Sequence, residues 1–187
     1  YAYESIAKYD NSFETIVNIY VPAINWYPTA ERWLREAGSA INIFAIDYYP
    51  GTWTFSGIDD WVPLDKLFEL MNRFGKKGAI METGFATWGP ESCGWWEPGY
   101  THTQDDQEIF INTALPIIKN KVYNQNRLYR DKFILATWYE LNDHYGTFQN
   151  CWIPDIEKNM GILKPDLNKK MGYDDLQKKI NEFYLEF

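Results

Sequence analysis

Four short, β-branched stretches alternate with four amphipathic stretches along the 187 residues, and this alternation strongly limits the possible folds. Strands that are separated by helix-length segments cannot form tight hairpins, so we expect a parallel sheet with right-handed crossovers. The predicted strands are 13–21, 40–49, 78–84 and 131–140, and the predicted helices are 28–38, 62–78, 103–120 and 172–187. The third helix is expected to bend or end near Pro116. Residues 1–9 are interpreted as the tail of an earlier helix.

No linker or low-complexity segment divides the chain, so residues 1–187 are interpreted as a single α/β domain of four βα units. The segments that follow the strands are long and aromatic, whereas those that follow the helices are short. Unusual side chains therefore collect at the carboxyl ends of the strands. Doubly wound sheets and (β/α) barrels both place their chemistry there. No glycine-rich phosphate loop follows a strand, which argues against nucleotide binding.

Composition narrows the class of partner. The formal net charge of -8 argues against nucleic acid and anionic membrane surfaces. No apolar run approaches the roughly 20 residues of a membrane helix. Aromatic residues make up 18% of the chain, and aromatic faces cover the C–H faces of sugars well. The composition therefore favours a neutral saccharide as the partner.

Glu82 stands out in the stretch KKGAIMETGFATWG, residues 76–89. It lies where an apolar strand ends and a loop rich in glycine and aromatic residues begins. A carboxylate at that place is typical of an α/β active site, although a plain acid at a strand terminus has the same pattern.

The order of four segments resembles the second half of the retaining glycoside hydrolases of the large (β/α)8 clan, which includes β-glucosidases, cellulases and endo-galactanases. These segments are INIFAIDYYPGTW, GAIMETG, ILATWYELND and MGILKPDLNKKMGYDDLQKKI. The resemblance covers nearly the whole chain. It implies a (β/α)4 half of a TIM-type (β/α)8 barrel, completed by a second chain, and a glycosidase that needs neither cofactor nor metal.

The resemblance also implies site residues. Glu82 matches the nucleophile of the clan, which attacks the anomeric carbon while a second carboxylate about 5 Å away protonates the leaving oxygen. Asp47 and Tyr49 share strand parity and match the residues beside that nucleophile, and the Tyr49 hydroxyl is expected to hydrogen-bond Glu82. Tyr48 is expected on the opposite face of the sheet, although two buried core tyrosines would fit the same pattern.

Several other residues are candidates for contacts with sugar. Trp138 matches the tryptophan that forms the floor of the sugar site, and it also fits a core position. Asn18, at the end of the first strand, is a candidate donor to a sugar hydroxyl. The candidate stacking platforms are Trp53, Trp88, Trp95 and Trp96, all in the long loops. His102 and His144 have no metal-ligand spacing and are interpreted as solvated loop residues.

The resemblance breaks at the acid/base residue. In the clan this is the glutamate of an Asn-Glu pair that ends the fourth strand, and strands one to four are absent here. Either the chain is a fragment or one half of a split enzyme, or two copies close one barrel by two-fold symmetry. In such a homodimer the partner's last strand lies beside the first strand of this chain. Glu140, in TWYELND, then becomes the candidate acid/base; its alternative role is that of an acid in the loop at the barrel rim.

The sequence therefore predicts a retaining β-glycosidase that acts on β-linked gluco-configured saccharides. One alternative is a carbohydrate-binding half-barrel without catalysis, and another is a hydrolase specific for β-galactan or β-mannan. A disulfide between Cys93 and Cys151 would indicate a secreted or periplasmic protein, whereas two free thiols would fit the cytoplasm. The absence of a signal peptide is expected of a mature form or a fragment.

Overall fold

A computed structural model describes residues 13–21, 25–54, 56–88, 102–124, 131–144, 156 and 158–184. Cys93, Cys151, Trp95, Trp96 and residues 1–9 lie outside these ranges, so the predictions about them stay predictions.

The described residues form one four-stranded parallel sheet in the order β1-β2-β3-β4, with helices between the strands. The strands are β1 (Ile16–Val21), β2 (Ile43–Tyr48), β3 (Lys77–Thr83) and β4 (Phe133–Trp138). The helices are α1 (Trp26–Ala37), α2 (Val62–Phe74), α3 (Gln104–Lys119) and α4 (Tyr173–Tyr184). The predicted α/β class, strand number and parallel pairing are all confirmed.

Local chemistry explains where several of these elements begin and end. Helix α2 stops at Phe74 because Gly75 adopts a left-handed conformation (φ 67°), which glycine tolerates without steric strain. Helix α3 begins with a capping box between Thr103 and Asp106. It includes Pro116 and ends three residues later at Lys119, close to the predicted end, and a π-helical turn, Asn120–Asn124, follows.

The main hydrophobic core lies between the sheet and the helices. Its largest fully buried side chains include Trp61, Tyr48, Phe44, Phe85 and Phe110. The other face of the sheet carries a small separate cluster, which consists of Ile43, Ala45 and Ala79 with Met81 packed against them. Alternation along β2 thus directs Phe44, Ile46 and Tyr48 toward the helices and Ile43 and Ala45 to the opposite face.

The two edge strands are much more exposed than the central ones. Ile16 and Tyr20 of β1 are 41% and 43% exposed, and Ile134 and Leu135 of β4 are 43% and 39% exposed. By contrast, every residue of β2 is buried. In the described part of the chain, no further strand pairs with the outer edge of β1 or β4. Within the same residues, no helix combines the length and apolarity that crossing a bilayer would require.

Candidate active site

Glu82 is positioned by a register shift between the two central strands. Ile46 of β2 lies opposite Ile80 of β3, whereas the next residue, Asp47, lies opposite Glu82. Met81 is therefore the extra residue of a β-bulge. Such bulges re-aim side chains and are frequent beside active sites. Here the bulge places two carboxylates side by side at the carboxyl ends of adjacent strands.

Tyr49 holds one oxygen of the Glu82 carboxylate. Its hydroxyl donates to Oε2 of Glu82 over 2.6 Å, which confirms the hydrogen bond that the resemblance implied. Burial, followed by this bond to Glu82, raises the pKa of Tyr49 well above its usual range, so the phenol remains a donor. Oε1 of Glu82 has no hydrogen-bond partner among the described residues, and the side chain is partly exposed. The hydrogen bond from Tyr49 therefore orients the Glu82 carboxylate through Oε2, while Oε1 makes no hydrogen bond in the described structure.

Tyr48 faces the opposite way, as predicted. Its ring packs edge-to-face on Trp61 with the centroids 5.4 Å apart, inside the helix-side core. Its hydroxyl donates to the carbonyl of Asp60 over 2.9 Å and lies 2.9 Å from Oγ of Ser56. The two consecutive tyrosines therefore have different roles, one in the core and one on the carboxylate.

Asp47 is 8% exposed and makes one side-chain hydrogen bond, from Nδ2 of Asn18 to its Oδ2 over 2.5 Å. Its Oδ1 is buried and has no partner in the described structure. Burial, and then the charge of Glu82, raise the pKa of Asp47 to about 6 against the opposing effect of Asn18. Asn18 lies within β1, three residues before its end, and it uses its amide on Asp47; a bond from Asn18 to sugar stays a prediction.

Aromatic residues surround Tyr49. Trp53 and Tyr139 pack against a small cluster that contains Tyr49, and the rings of Tyr139 and Tyr49 meet edge-to-face at 6.1 Å. Tyr20 donates from its hydroxyl to the carbonyl of Trp53 over 3.3 Å. Tyr20 and Tyr139 were not among the predicted site residues. Tyr20 lies two residues after Asn18 on β1, and this alternation could have indicated from the sequence that both side chains face the site.

Gly84 lets the chain after β4 approach β3. The backbone N–H of Tyr139 donates to the carbonyl of Thr83 over 2.7 Å, and a Cβ at Gly84 would collide with the carbonyl oxygen of Tyr139. The glycine that ends the Met-Glu-Thr-Gly stretch is thus required by this close contact between backbones.

Trp138 lies on the helix side of the sheet rather than beside Glu82. Its ring meets Phe110 of α3 at 5.9 Å and packs against the main core, and its Nε1 is buried without a partner in the described residues. The ladder between β3 and β4 is interrupted at two places, which changes which residues of β4 share a face. Core packing is therefore the role that the structure gives Trp138, and its role as a sugar platform stays a prediction. Trp88 is partly buried, and its contact with sugar also stays a prediction.

Glu140 follows β4 and is held by the neighbouring chain segment. Its backbone N–H donates to the carbonyl of Met160 over 3.3 Å, and its carbonyl accepts from Ile162 over 3.2 Å. Its Oε1 lies 2.7 Å from Nε2 of His144, whose side chain is 55% exposed. Glu140 is thus at the rim, and the described contacts connect it to His144, not to Glu82.

A buried ion pair, which no local sequence pattern indicated, joins the loops around the site. Nζ of Lys170 lies 2.7 Å from Oδ1 of Asp143, with the two side chains 2% and 8% exposed. The same ammonium donates to Oγ1 of Thr87 over 2.7 Å, and Oδ1 of Asp143 also accepts from the backbone of Gly161 over 3.0 Å. The pair therefore connects the loop after β3 to the loop after β4.

His102 corrects the prediction of a solvated loop histidine. It is 1% exposed, its ring stacks on Phe85 at 4.8 Å, and its Nε2 lies 2.9 Å from the carbonyl of Gly51. His144 is exposed, as predicted. Among the residues that the structure describes, no group of three or more His, Cys, Asp or Glu side chains could hold a metal ion.

Tyr49→Phe is expected to lower kcat/KM by roughly 10- to 100-fold for any reaction of the Glu82 carboxylate, because a hydrogen bond to a charged group contributes about 1.5–3 kcal/mol. Tyr48→Phe is the matched control: it removes a neighbouring hydroxyl that contacts Asp60 and Ser56 but not Glu82. We expect it to lower thermal stability slightly and to leave kcat/KM within a few-fold. Equal kinetic losses in both variants would contradict the orienting role of Tyr49.

The fold is similar to that of solved structures, whereas no match was found among family models or curated proteins. Among solved structures, the β-glucuronidase of Ruminococcus gnavus is similar with a TM-score of 0.62 and 10% identity, over 96% of this chain and 28% of that chain. An exo-β-agarase is similar with a TM-score of 0.62 and 12% identity, over 99% of this chain and 21% of that chain.

A structure of fungal β-1,4-galactanase is similar with a TM-score of 0.54 and 13% identity, over 88% of this chain and 48% of that chain. The chain thus spans about a fifth to a half of the length of these glycoside hydrolases. At such identities the likeness shows the fold alone. The four βα units correspond to half of a TIM barrel of the kind found in glycoside hydrolases.

Proposed function

We propose that the chain forms part of a retaining β-glycosidase in which Glu82 is the nucleophile. The observation that carries this proposal is the carboxylate of Glu82, held by Tyr49 through one oxygen at the carboxyl end of β3. The half-barrel fold shared with glycoside hydrolases supports it, because TIM-barrel enzymes place their reacting groups at these strand ends. β-Linked gluco-configured saccharides are the proposed substrates.

The proposed reaction is a double displacement. Oε1 of Glu82 attacks the anomeric carbon, the bond from that carbon to the leaving oxygen breaks, and an acid protonates the leaving oxygen. Water then attacks the same carbon and releases the sugar with net retention, while its proton passes to the group that served as acid. Tyr49 orients the nucleophile throughout, and no cofactor takes part.

The test is covalent labelling with a 2-fluoro-glycoside that carries a dinitrophenolate leaving group. This group departs without protonation and the fluorine slows hydrolysis of the intermediate, so labelling reports the nucleophile even without the acid. We expect a mass increase of one sugar on the peptide that contains Glu82. Gluco, galacto and manno reagents distinguish the proposed specificity from β-galactan or β-mannan. No labelling by any of them would contradict the proposed mechanism.

A second candidate function is saccharide binding without hydrolysis. It is favoured by one observation: in the described residues, the carboxylate that lies opposite Glu82 is the buried Asp47, while Glu140 lies beside His144. Binding of gluco-saccharides in calorimetry, together with absence of both labelling and turnover, would support this alternative.

We further propose that two copies of the chain close one barrel and that Glu140 of the partner subunit acts as the acid/base. Four strands are half of the eight in a TIM barrel, and β1 and β4, of equal length, have no strand on their outer edges within the described ranges. Neither strand contains a charged residue, IVNIYV and FILATW, although exposed edges are usually protected by charges. Pairing β4 of each copy with β1 of the other covers all of these edges.

Glu140→Gln is expected to lower kcat on glycosides with poor leaving groups by about 10²–10⁴-fold, and to leave dinitrophenyl glycosides nearly unaffected. The reason is that only a poor leaving group needs a proton as it departs. Glu36→Gln, on the exposed surface of α1, is the matched control. Full turnover of poor leaving groups by Glu140→Gln would refute the assignment, and a monomeric mass in native mass spectrometry would refute the dimer.

A further inference from the structure

The unexplained feature of the site is a second buried carboxylate beside Glu82. Asp47 lies opposite Glu82 in the register of two adjacent strands, immediately after the bulge that aligns them. It is 8% exposed, which is unusual for an acid without a cationic partner. Among the described residues no lysine or arginine pairs with either carboxylate; Lys170 pairs with Asp143 and Lys77 with Glu14.

The groups that face Asp47 are known from each neighbouring strand. From β1, Asn18 donates to its Oδ2, and Tyr20 is its register partner. From β3 comes the charge of Glu82, and Tyr49 follows on the same strand segment as Asp47. None of these groups brings a positive charge. Oδ1 has no partner among the described residues, although an unpaired buried acceptor is unfavourable.

We propose that Asp47 is a positioning residue whose proton is coupled to the charge of Glu82, so that in weakly acidic solution the two carboxylates carry close to one negative charge between them. When Glu82 is ionised, Asp47 retains its proton more readily. When Glu82 becomes a glycosyl ester, Asp47 releases that proton and carries the charge instead. This inference rests on the proposed function for its catalytic meaning, but the coupling itself does not require turnover.

In the labelling reaction, charge and protons balance with Asp47 as the source of the released proton. Ionised Glu82, protonated Asp47 and a dinitrophenyl glycoside give the glycosyl ester of Glu82, ionised Asp47, one released proton and dinitrophenolate. The bond from the anomeric carbon to the phenolic oxygen breaks, and the bond from that carbon to Glu82 forms. Ionised Asp47 then lies opposite the Glu82 ester in the register of the two strands, and its charge would favour the positive charge that develops on the sugar as the ester is cleaved.

The coupling has a consequence for stability that can be measured without any substrate. Because the pKa of folded Asp47 is raised from 3.8 to about 6, the folded protein binds more protons than the unfolded chain between these values. Asp47 therefore lowers the free energy of unfolding progressively as the pH rises from about 4 to about 6, and by a constant amount above that range. Asp47→Asn retains the acceptor for Asn18 and removes this effect.

The experiment compares melting temperatures of the wild type, Asp47→Asn, Glu82→Gln and the double variant between about pH 4 and pH 8. We expect Asp47→Asn to melt about 2–5 °C above the wild type near pH 8 and close to it near pH 4. In the Glu82→Gln background this gain in melting temperature becomes smaller but does not vanish, since burial, the largest cause, still disfavours the Asp47 charge. In the control background Glu36→Gln, the gain is unchanged.

The coupling would be overturned if Asp47→Asn raised the melting temperature equally near pH 4 and near pH 8. It would also be overturned if the rise were the same in the wild type and in the Glu82→Gln background. The second readout is proton release during labelling in weakly buffered solution with an indicator dye. We expect a fraction of one proton per dinitrophenolate near pH 6, and none near pH 8 or in Asp47→Asn. If dinitrophenolate is not released at all, the proposed hydrolase function fails, whereas the melting experiment still decides the role of Asp47.

Discussion

Glu82→Ala is expected to lower the hydrolysis of β-glucosides by roughly 10⁴-fold, which is the scale on which loss of a nucleophile acts in hydrolases. The substitution removes the carboxylate that accepts a hydrogen bond from the Tyr49 hydroxyl over 2.6 Å at the carboxyl end of β3. Initial rates with dinitrophenyl β-glucoside measure the loss. Because this leaving group needs no proton, the rate reports the nucleophile separately from the acid/base.

Azide rescue tests the same assignment through the configuration of the product. In Glu82→Ala a small anion can occupy the space left by the carboxylate and attack the anomeric carbon from the same side. We expect azide to restore dinitrophenolate release and to give the α-glycosyl azide, which a retaining nucleophile position requires. A β-configured azide product would place the attack on the opposite face of the sugar and contradict the assignment.

The controls address folding. Alanine at position 82 leaves the Tyr49 hydroxyl without its acceptor, so we expect a modest decrease in melting temperature. Glu36→Gln changes an exposed acid on α1 and should affect neither activity nor stability. Retention of most activity by folded Glu82→Ala would exclude Glu82 as the nucleophile.

Lys170→Met is expected to destabilise the protein by about 3–5 kcal/mol, because it leaves Asp143 as a buried charge that has lost its partner. Burial lowers the pKa of Lys170 and raises that of Asp143, so each side chain depends on the other to remain charged. For a chain of this length, the loss corresponds to a decrease in melting temperature of roughly 10 °C.

The neighbouring lysine is the matched control. Lys169 forms an ion pair with Asp174 at the same distance, 2.7 Å, but the two side chains are 56% and 76% exposed. Lys169→Met should therefore cost at most about 1 kcal/mol. A double variant, Lys170→Met with Asp143→Asn, should lose less than the sum of the single losses. Equal melting temperatures for Lys169→Met and Lys170→Met would contradict the role of the buried pair.

Much of the fold could be predicted from local sequence. Alternating strand and helix patterns gave four parallel strands, since helix-length connections exclude hairpins, and the strands and helices lie close to the predicted ranges. Period-two alternation also predicted that Tyr48 and Tyr49 would face opposite sides. Near Pro116 the predicted end of the helix lies three residues early, since the helix continues to Lys119.

The site could be predicted only in part. A strand end indicated Glu82, and the resemblance implied both its role and its contact with Tyr49; the contact is present, whereas the role stays a prediction. Trp138 was predicted to form the floor of the sugar site and also to fit a core position; it packs on Phe110 in the core, and its contact with sugar stays a prediction. The burial of His102 and the pair of Lys170 with Asp143 join residues far apart in the chain, so no local pattern indicated them.

The sequence by itself therefore determined the elements, their parallel arrangement and the end of the sheet at which the carboxylates collect, because periodicity and connection length are local properties. Only the tertiary structure decided which side chains meet there. The bulge that sets Glu82 opposite Asp47, the donor that Asn18 directs to Asp47, and the ion pair that joins the two loops all depend on register between strands and on burial. Neither register nor burial is fixed until the segments pack together.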